Sequence, residues 1–151
     1  MTTVRYSSHF DATPEALFAF HMDVANLARI SPPLPRFELL SEPGTTSEGD
    51  EQRFRLSLGP LGTEWVARIV KVVPGAAIED VQAEGPFRSW RHRHAVAADG
   101  SGSQLTDTVR FRLIPTAAGA FLEFYLVRPG LWCMFAWRHR CTRQLLEQRA
   151  T

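Results

Sequence analysis

Residues 80–94 decide how this chain folds, and they read Asp-Val-Gln-Ala-Glu-Gly-Pro-Phe-Arg-Ser-Trp-Arg-His-Arg-His. Two alternating runs flank a Gly-Pro turn, and a strand sends successive side chains to opposite faces of its sheet. In the second run, one face carries Arg91 and Arg93, whereas the other carries Trp90, His92 and His94. Because arginines normally stay in water, we expect the indole and the two imidazoles to point inward. A polar interior face on a curved sheet favours a cavity over a dry core.

The same period of two extends on both sides of this stretch, from Arg36 to Leu113. Turn-forming Gly and Pro residues interrupt it at short intervals, which is typical of an antiparallel meander. Together with one strand near the start of the chain, the pattern predicts strands over Val4–Phe10, Phe37–Leu40, Gln52–Leu58, Thr63–Val73, Ala77–Ala83, Ser89–Ala97 and Gln104–Leu113.

Two short helices are predicted directly after the first strand. Thr13-Pro14 starts one of them, since threonine caps helices and proline fits the first helical position. Asp23 or Asn26 can cap the second helix. Ser31-Pro32-Pro33 ends it, because proline cannot continue the hydrogen-bond ladder.

The chain becomes helical again from Ala118 to Gln148, where we expect Pro129-Gly130 to kink or break the helix. A six- or seven-stranded antiparallel sheet covered by this helix makes an α+β domain. If the sheet curls around the helix, the space between them is the natural ligand site.

Composition predicts one soluble domain over residues 1–151, since the chain is long enough for a full core. A formal net charge of +1 provides no general attraction to nucleic acid or anionic membranes. The chain opens directly into an alternating segment without a signal sequence, so we expect a cytoplasmic protein. The apolar segment Phe121–Trp137 is too short and interrupted for stable membrane insertion.

The two cysteines, Cys133 and Cys141, are predicted to be free thiols. They lie eight residues apart in the last helix, which separates them by about 12 Å along its axis and exceeds the roughly 7 Å that a disulfide spans. Neither belongs to a Cys-x-x-Cys motif, so redox or zinc chemistry is not indicated. We expect no cofactor.

Three sequence motifs resemble a known family. They are Ile30-Ser31-Pro32-Pro33, then Asp80-x-Gln82-x-x-Gly85-Pro86-Phe87-x-x-Trp90-x-His92-x-His94, and finally Phe135-Ala136-x-Arg138-His139-Arg140. The chain resembles, over nearly its whole length, the SRPBCC superfamily of helix-grip proteins, which includes START lipid-transfer domains, birch-pollen allergens and polyketide cyclases. It looks closest to a bacterial branch of cyclase/dehydrase-like or ligand-binding proteins. The resemblance implies a curved sheet around a long C-terminal helix.

Alternation along the neighbouring strands extends the predicted interior face. Asp107 shares a face with apolar residues of its strand, and Asp80 shares one with Gln82. The candidate ligand-binding residues are Phe54, Leu56, Trp65, Asp80, Gln82, Trp90, Val109, Phe111, Leu131, Phe135 and Arg138.

Arg138 lies on the apolar stripe of the last helix, with Leu131, Phe135, Thr142 and Leu145. An arginine there must reach water or find a carboxylate. We expect it to be structural and to pair with Asp80 or Asp107.

The His and Asp cluster has several interpretations. Its members can satisfy one another structurally, recognise a ligand in an apolar pocket, or catalyse, with His92 or His94 as the acid-base group oriented by Asp107 or Asp80. Zinc could use His92 and His94 with Asp107, but no third strong ligand is in sequence register, so we expect no metal.

Three functions therefore remain open. The first is binding of a small hydrophobic or amphipathic molecule. The second is a cyclase/dehydrase-type reaction on an aromatic or polyketide-like substrate. The third is a protein-interaction module.

The last helix also carries apolar residues outside its core stripe. They are Leu126, Cys133 and Trp137, with Trp132 near their edge. They predict a pocket lid or a homodimer contact.

Overall fold

The computed structural model describes residues 1–150. Its strands are β1 Thr2–Phe10, β2 Arg36–Leu39, β3 Glu51–Leu58, β4 Leu61–Val73, β5 Ala77–Glu84, β6 Ser89–Asp99 and β7 Gly102–Arg112. They pair antiparallel in the order β1-β7-β6-β5-β4-β3-β2. Strands β2 to β7 therefore form a meander, and β1 pairs with β7 at the edge opposite β2. The predicted α+β fold, with a curled seven-stranded sheet, is confirmed.

The sheet differs from the sequence prediction mainly at its turns. Gly59 adopts a φ of 58°, so a two-residue turn joins β3 to β4, and Leu58 pairs with Leu61. Strand β4 therefore begins two residues before the predicted Thr63. Two register shifts along β4, at Val66/Ala67 and Ile69/Lys71, interrupt its pairing with β5. Such irregularities bend a strand and increase its twist, which helps the sheet to curl.

Two capped helices cross between the edge strands β1 and β2. They are α1, Pro14–Met22, and α2, Val24–Ile30. The Thr13 hydroxyl accepts a hydrogen bond from the Ala16 N–H, and the Asp23 carboxylate accepts one from the Ala25 N–H. Both predicted helix starts are therefore confirmed, with Asp23 rather than Asn26 as the second cap.

The C-terminal helix does not break at Pro129. It runs as α3, Ala117–Leu122, a π-helical turn over Glu123–Val127, and α4, Arg128–Ala150. In the π-helical turn the N–H of Arg128 donates to the carbonyl of Glu123. The wider turn lies directly before Pro129, whose ring would clash with the carbonyl one turn back in a regular α-helix. The expected interruption is thus replaced by a change in hydrogen-bond spacing one turn earlier.

The core lies between the sheet and the helices in two clusters. One comprises Val4, Val109, Phe111 and Phe135, and the other comprises Phe10, Leu17, Val96 and Leu105. The outer face of the sheet is polar, as the alternation predicts, and its arginines pair across strands: Arg91 with Glu79 and Arg55 with Glu64. Within residues 1–150, no helix has both the length and the apolar character needed to cross a membrane.

Candidate ligand pocket

A pocket of about 720 Å³ lies between the inner face of the sheet and α4, with α1 and α2 along its side. Its walls are mostly apolar. They include Ile30, Phe37, Phe54, Leu56, Trp65, Ile78, Trp90 and Leu131. Ligand pockets of this kind combine apolar walls with a few convergent polar groups, and here those groups are His21, Asp80, His92, His94 and Arg138.

An aromatic wall crosses the sheet side of the pocket. Phe37 stacks on Phe54 with ring centroids 5.0 Å apart, and Phe54 stacks on Trp65 at 5.7 Å. Trp65 meets Trp90 edge to face at 4.9 Å. The alternation of β2, β3, β4 and β6 brings these rings together, since each lies on the inner face of its own strand. Packed rings of this type hold one another in place, so this wall is a preformed apolar surface.

The polar end of the pocket is built around the buried carboxylate of Asp107. Asp107 Oδ1 lies 2.9 Å from Nε2 of His92 and 2.5 Å from Nδ1 of His94. Oδ2 lies 2.5 Å from Nε2 of His139, which reaches the sheet from α4. The strand register explains part of this cluster, because His94 pairs directly with Asp107, and Asp80 pairs with His92. Side chains opposite each other on one face are close enough to interact.

The surroundings of His92 favour its charged form. Burial works to lower its pKa, but hydrogen bonds to Asp107 and Asp80 outweigh burial and raise the pKa to about 9. Burial likewise opposes ionisation of Asp107. Its contacts with His94, His139 and His92 more than offset that effect and hold its pKa well below the ordinary value. His92 and Asp107 therefore form a buried imidazolium–carboxylate pair at neutral pH.

His94 and His21 are neutral groups beside this pair. Burial and the adjacent charge of His92 lower the pKa of His94. Its Nδ1 has no hydrogen bond, because the short contact with Asp107 lies off the hydrogen-bond axis. Burial, assisted by His94, lowers the pKa of His21 to about 4. The Nδ1 of His21 lies 2.9 Å from the carbonyl of Leu17 and, as the protonated nitrogen of a neutral ring, donates to it.

A metal could be held by Asp80, His92 and His94, whose ligand atoms lie within 4.8 Å of one another. Sequence reasoning considered Asp107 as the third ligand, whereas the structure brings Asp80 to that position. Both nitrogens of His92 face carboxylates, Nδ1 at 3.5 Å from Asp80 and Nε2 at 2.9 Å from Asp107. An imidazolium in this position has no lone pair to give a metal. The expectation that no metal is required stays a prediction.

Arg138 does not form the ion pair that the sequence suggested. Within residues 1–150, no carboxylate oxygen lies within 4.0 Å of its guanidinium group. Its Nη2 donates a long 3.4 Å hydrogen bond to Ser31 Oγ, and its Nε is buried without a partner. His139, one residue further along α4, binds Asp107 in its place. The expected pairing of Arg138 with Asp80 or Asp107 is therefore wrong.

The family model for polyketide cyclase/dehydrase and lipid transport matches residues 10–134, which include most of the pocket. The chain belongs to this family. The match confirms the resemblance to helix-grip proteins of the SRPBCC type. No curated protein is similar enough in sequence to match the chain.

Solved structures from several bacteria share the fold of this polyketide cyclase/dehydrase family member. Protein TTHA0849 from Thermus thermophilus superposes with a TM-score of 0.79 at 14% identity, covering 99% of this chain and 100% of that one. Protein CV1439 from Chromobacterium violaceum gives 0.74 at 17% identity, covering 96% and 97%. Protein Ms6760 from Mycobacterium smegmatis gives 0.72 at 14%, covering 97% and 92%. Identities this low establish a common fold alone.

The pocket of this family member brings together most, but not all, of the candidate residues. Those that line it are Phe54, Leu56, Trp65, Asp80, Trp90, His92, His94, Leu131 and Arg138. Val109, Phe111 and Phe135 are fully buried in the core instead. Asp107 lies behind the histidines. The Gln82 amide binds the backbone N–H and carbonyl of Phe87, so it braces the β5–β6 turn.

Sequence reasoning missed two histidines. His139 binds Asp107 with one ring nitrogen, while its Nδ1 lies 2.5 Å from the Ser8 hydroxyl on β1. A signal was present, since His139 is four residues after Phe135 and such residues share a helix face. His21 lies on α1, and only the packing of α1 beside the sheet places its ring 5.5 Å from that of His94.

Proposed function

We propose that this protein binds a small hydrophobic or amphipathic molecule in the pocket between the sheet and α4. The observation that carries the proposal is the pocket itself, about 720 Å³ in volume and walled by aromatic and aliphatic side chains. Volumes of this size suit drug-sized ligands, which bury most of their surface in such sites. An interaction module would need no such space, so that alternative is less favoured.

A pocket-filling variant tests the proposal with the neutral fluorescent dye Nile red. Leu56 lines the pocket, so Leu56→Trp should reduce Nile red affinity about tenfold by occupying the binding volume. Leu61→Trp is the matched control, because Leu61 lies in the β3–β4 hairpin and is 74% exposed. Equal dye affinity in both variants, or no binding to the wild type, would contradict the proposal.

The natural ligand can be sought in freshly purified protein. Native mass spectrometry should detect a bound small molecule, and solvent extraction should release it for identification. The same measurement on Leu56→Trp should show less of it. A molecule retained equally by both proteins would lie outside the pocket.

A cyclase/dehydrase-type reaction is the second candidate function, favoured by the paired histidines. His92 has a raised pKa and His94 a lowered one, although they lie side by side on the pocket wall. A neutral imidazole beside a charged one suits a base with an electrostatic partner. His94, whose Nδ1 lies 2.5 Å from the Asp107 carboxylate, would be the base. Both nitrogens of His92 face carboxylates, so His92 would supply positive charge beside the substrate instead of a proton.

The two functions differ in what happens to the bound molecule. If the protein is an enzyme, His94→Gln should accumulate a molecule whose structure differs from that extracted from the wild type, in mass for a dehydration and in NMR spectrum for a cyclisation that conserves mass. The same mass and the same NMR spectrum from both proteins support binding without catalysis.

A further inference from the structure

Arg138 is a cation on the pocket wall whose hydrogen-bonding capacity is almost unused. A guanidinium group offers five N–H donors. In residues 1–150 its one hydrogen bond is the 3.4 Å contact with Ser31, and its buried Nε has no partner. Ser31 itself donates to the Leu27 carbonyl at 2.6 Å, so its hydroxyl is oriented to accept from Arg138.

Asp107 and Asp80 attract Arg138, but they do not compensate for the hydration that its guanidinium group loses. Burial lowers the pKa of Arg138, and the attraction of Asp107 and Asp80 only partly opposes that effect. Asp107 is already in contact with three imidazoles, and Asp80 faces His92. Arg138 is half-buried, and its buried Nε has lost water without gaining a partner, which is costly for a charged group. An arrangement of this kind becomes favourable when a ligand supplies the missing anion.

The surroundings of Arg138 define what that ligand would be. Most of the remaining wall is apolar and includes Leu131, Met134 and Trp137 from the same helix. The other polar groups of the pocket include the neutral His21 and His94, the charged His92, and Asp80. The charge of His92 is already matched by Asp107 and Asp80, and the Asp80 carboxylate repels anions from its side. A ligand that satisfies both parts of the pocket has an apolar body and one anionic end.

We propose, on the basis of the proposed binding function, that Arg138 holds the carboxylate of a hydrophobic ligand through its free N–H groups. A planar carboxylate matches the two parallel donors of a guanidinium, and charge-assisted hydrogen bonds of this type are roughly twice as strong as neutral ones. The ligand class is therefore a hydrophobic carboxylic acid, either an aromatic or an aliphatic one.

Two matched probe pairs test this assignment. They are naphthalene-2-carboxylate with naphthalene-2-carboxamide, and dodecanoate with dodecanamide. The members of each pair have nearly the same size and differ in charge. Tryptophan fluorescence can report binding, since Trp65 and Trp90 line the pocket. The wild type should prefer the carboxylate of at least one pair by about tenfold or more, and the preferred pair distinguishes an aromatic from an aliphatic ligand.

Substitution of Arg138 should remove this preference. Arg138→Gln is expected to lower carboxylate affinity about tenfold and to leave the carboxamide affinity unchanged, whereas Arg138→Lys should retain part of the preference because it keeps the charge. Arg140→Gln is the control, since Arg140 is exposed on the same helix. The ligand-free melting temperature of Arg138→Gln should not fall, because no ion pair is lost.

Several outcomes would overturn the assignment. Equal binding of carboxylate and carboxamide by the wild type, or a preference that persists in Arg138→Gln, excludes an anion anchor while leaving the pocket proposal intact. A clear loss of thermal stability in Arg138→Gln would make Arg138 structural and also overturn the assignment. Failure of every probe, including Nile red, to bind the wild type would refute the proposed function and this inference together.

Discussion

The Asp107 carboxylate contacts imidazole rings from two different elements. His92 and His94 come from β6, and His139 comes from α4. One carboxylate therefore ties the sheet to the helix that covers it. Its own burial is tolerated because these contacts compensate the lost hydration. The same contacts orient His92 and His94 beside the pocket, so the structural and functional interpretations of the cluster describe one arrangement.

At this residue scale, we predict that His21 makes the protein sensitive to acid. Its pKa falls to about 4 in the folded state, so below pH 6.5 the unfolded chain binds a proton that the folded chain does not. The free energy of unfolding should then decrease by roughly 1–2 kcal/mol between pH 7 and pH 5 on account of His21. Urea denaturation of His21→Leu at both pH values should show a smaller decrease than in the wild type.

An exposed histidine provides the control. The pKa of His9 is raised, chiefly by its hydrogen bond to Asp99, so His9→Gln should not reduce the acid sensitivity. Identical pH dependence of His21→Leu and the wild type would show that folding does not change the pKa of His21, and would contradict the prediction.

A second residue-scale prediction concerns metals. Because both nitrogens of His92 face carboxylates, protein purified without chelator should contain substoichiometric zinc, iron and copper by elemental analysis. Added zinc should leave the melting temperature unchanged. Stoichiometric zinc that disappears in His94→Gln would contradict this prediction and identify Asp80, His92 and His94 as ligands.

At the scale of elements, Glu123 connects the π-helical turn to the sheet. It is 5% exposed, and its carboxylate accepts hydrogen bonds from the Thr2 hydroxyl at 2.6 Å and the Leu113 N–H at 2.7 Å. These bonds hold the turn against the ends of β1 and β7. The unusual helical spacing before Pro129 is therefore supported by a specific polar contact as well as by the proline.

We predict that Glu123→Ala lowers the free energy of unfolding by about 1–3 kcal/mol, the usual cost of losing charged hydrogen bonds and leaving a buried N–H unpaired. The hydrogen bond from Thr2 is the first cause of the lowered pKa of Glu123. The contribution of Glu123 to the free energy of unfolding is therefore complete above the ordinary carboxyl pKa. It is lost as the pH falls through the pKa that Glu123 has in the folded protein. Chemical denaturation at pH 7 and in acid should show the difference between wild type and variant narrowing.

Glu147→Ala is the matched change at an exposed position of the same helix, and it should leave stability nearly unaffected. Glu123→Gln should retain part of the stability, since the amide oxygen can still accept a hydrogen bond. A Glu123→Ala protein as stable as the wild type would show that the turn does not depend on this carboxylate.

At the scale of the whole molecule, several large apolar side chains are exposed along the C-terminal helix. Leu126 is 66% exposed, Trp132 54% and Trp137 42%. Cys133 and Trp137 also line the pocket, so the lid and the homodimer interpretations of this face remain compatible. Contiguous apolar patches on a protein surface usually mark a contact surface.

We expect a homodimer through this face, detectable by sedimentation at micromolar concentration. Leu126→Glu and Trp137→Glu should both dissociate it, because each would bury a charge in the interface. Trp137→Glu should in addition change Nile red affinity, since only Trp137 of the two lines the pocket. Leu61→Glu, on an exposed hairpin, should leave the dimer intact. A wild-type monomer, or a dimer undisturbed by both helix variants, would contradict this expectation.

The sequence by itself determined the order and type of the elements, because its periodicity records which side chains are shielded from water. The alternation of Trp90, His92 and His94 with Arg91 and Arg93 placed the inner face of β6 correctly, and Thr13-Pro14 marked the start of α1. Such local patterns need no knowledge of distant contacts.

Only the tertiary structure decided which inner residues face open space and which form the core. Val109 and Asp107 occupy the same face of β7, yet neither lines the pocket. Arg138 and His139 are adjacent in the chain, but the rotation of α4 about its axis directs His139 to the Asp107 carboxylate and leaves Arg138 at the pocket wall. The reason is that these outcomes depend on how far the sheet curls and how α4 is rotated above it. Both are set by the packing of residues distant in the chain.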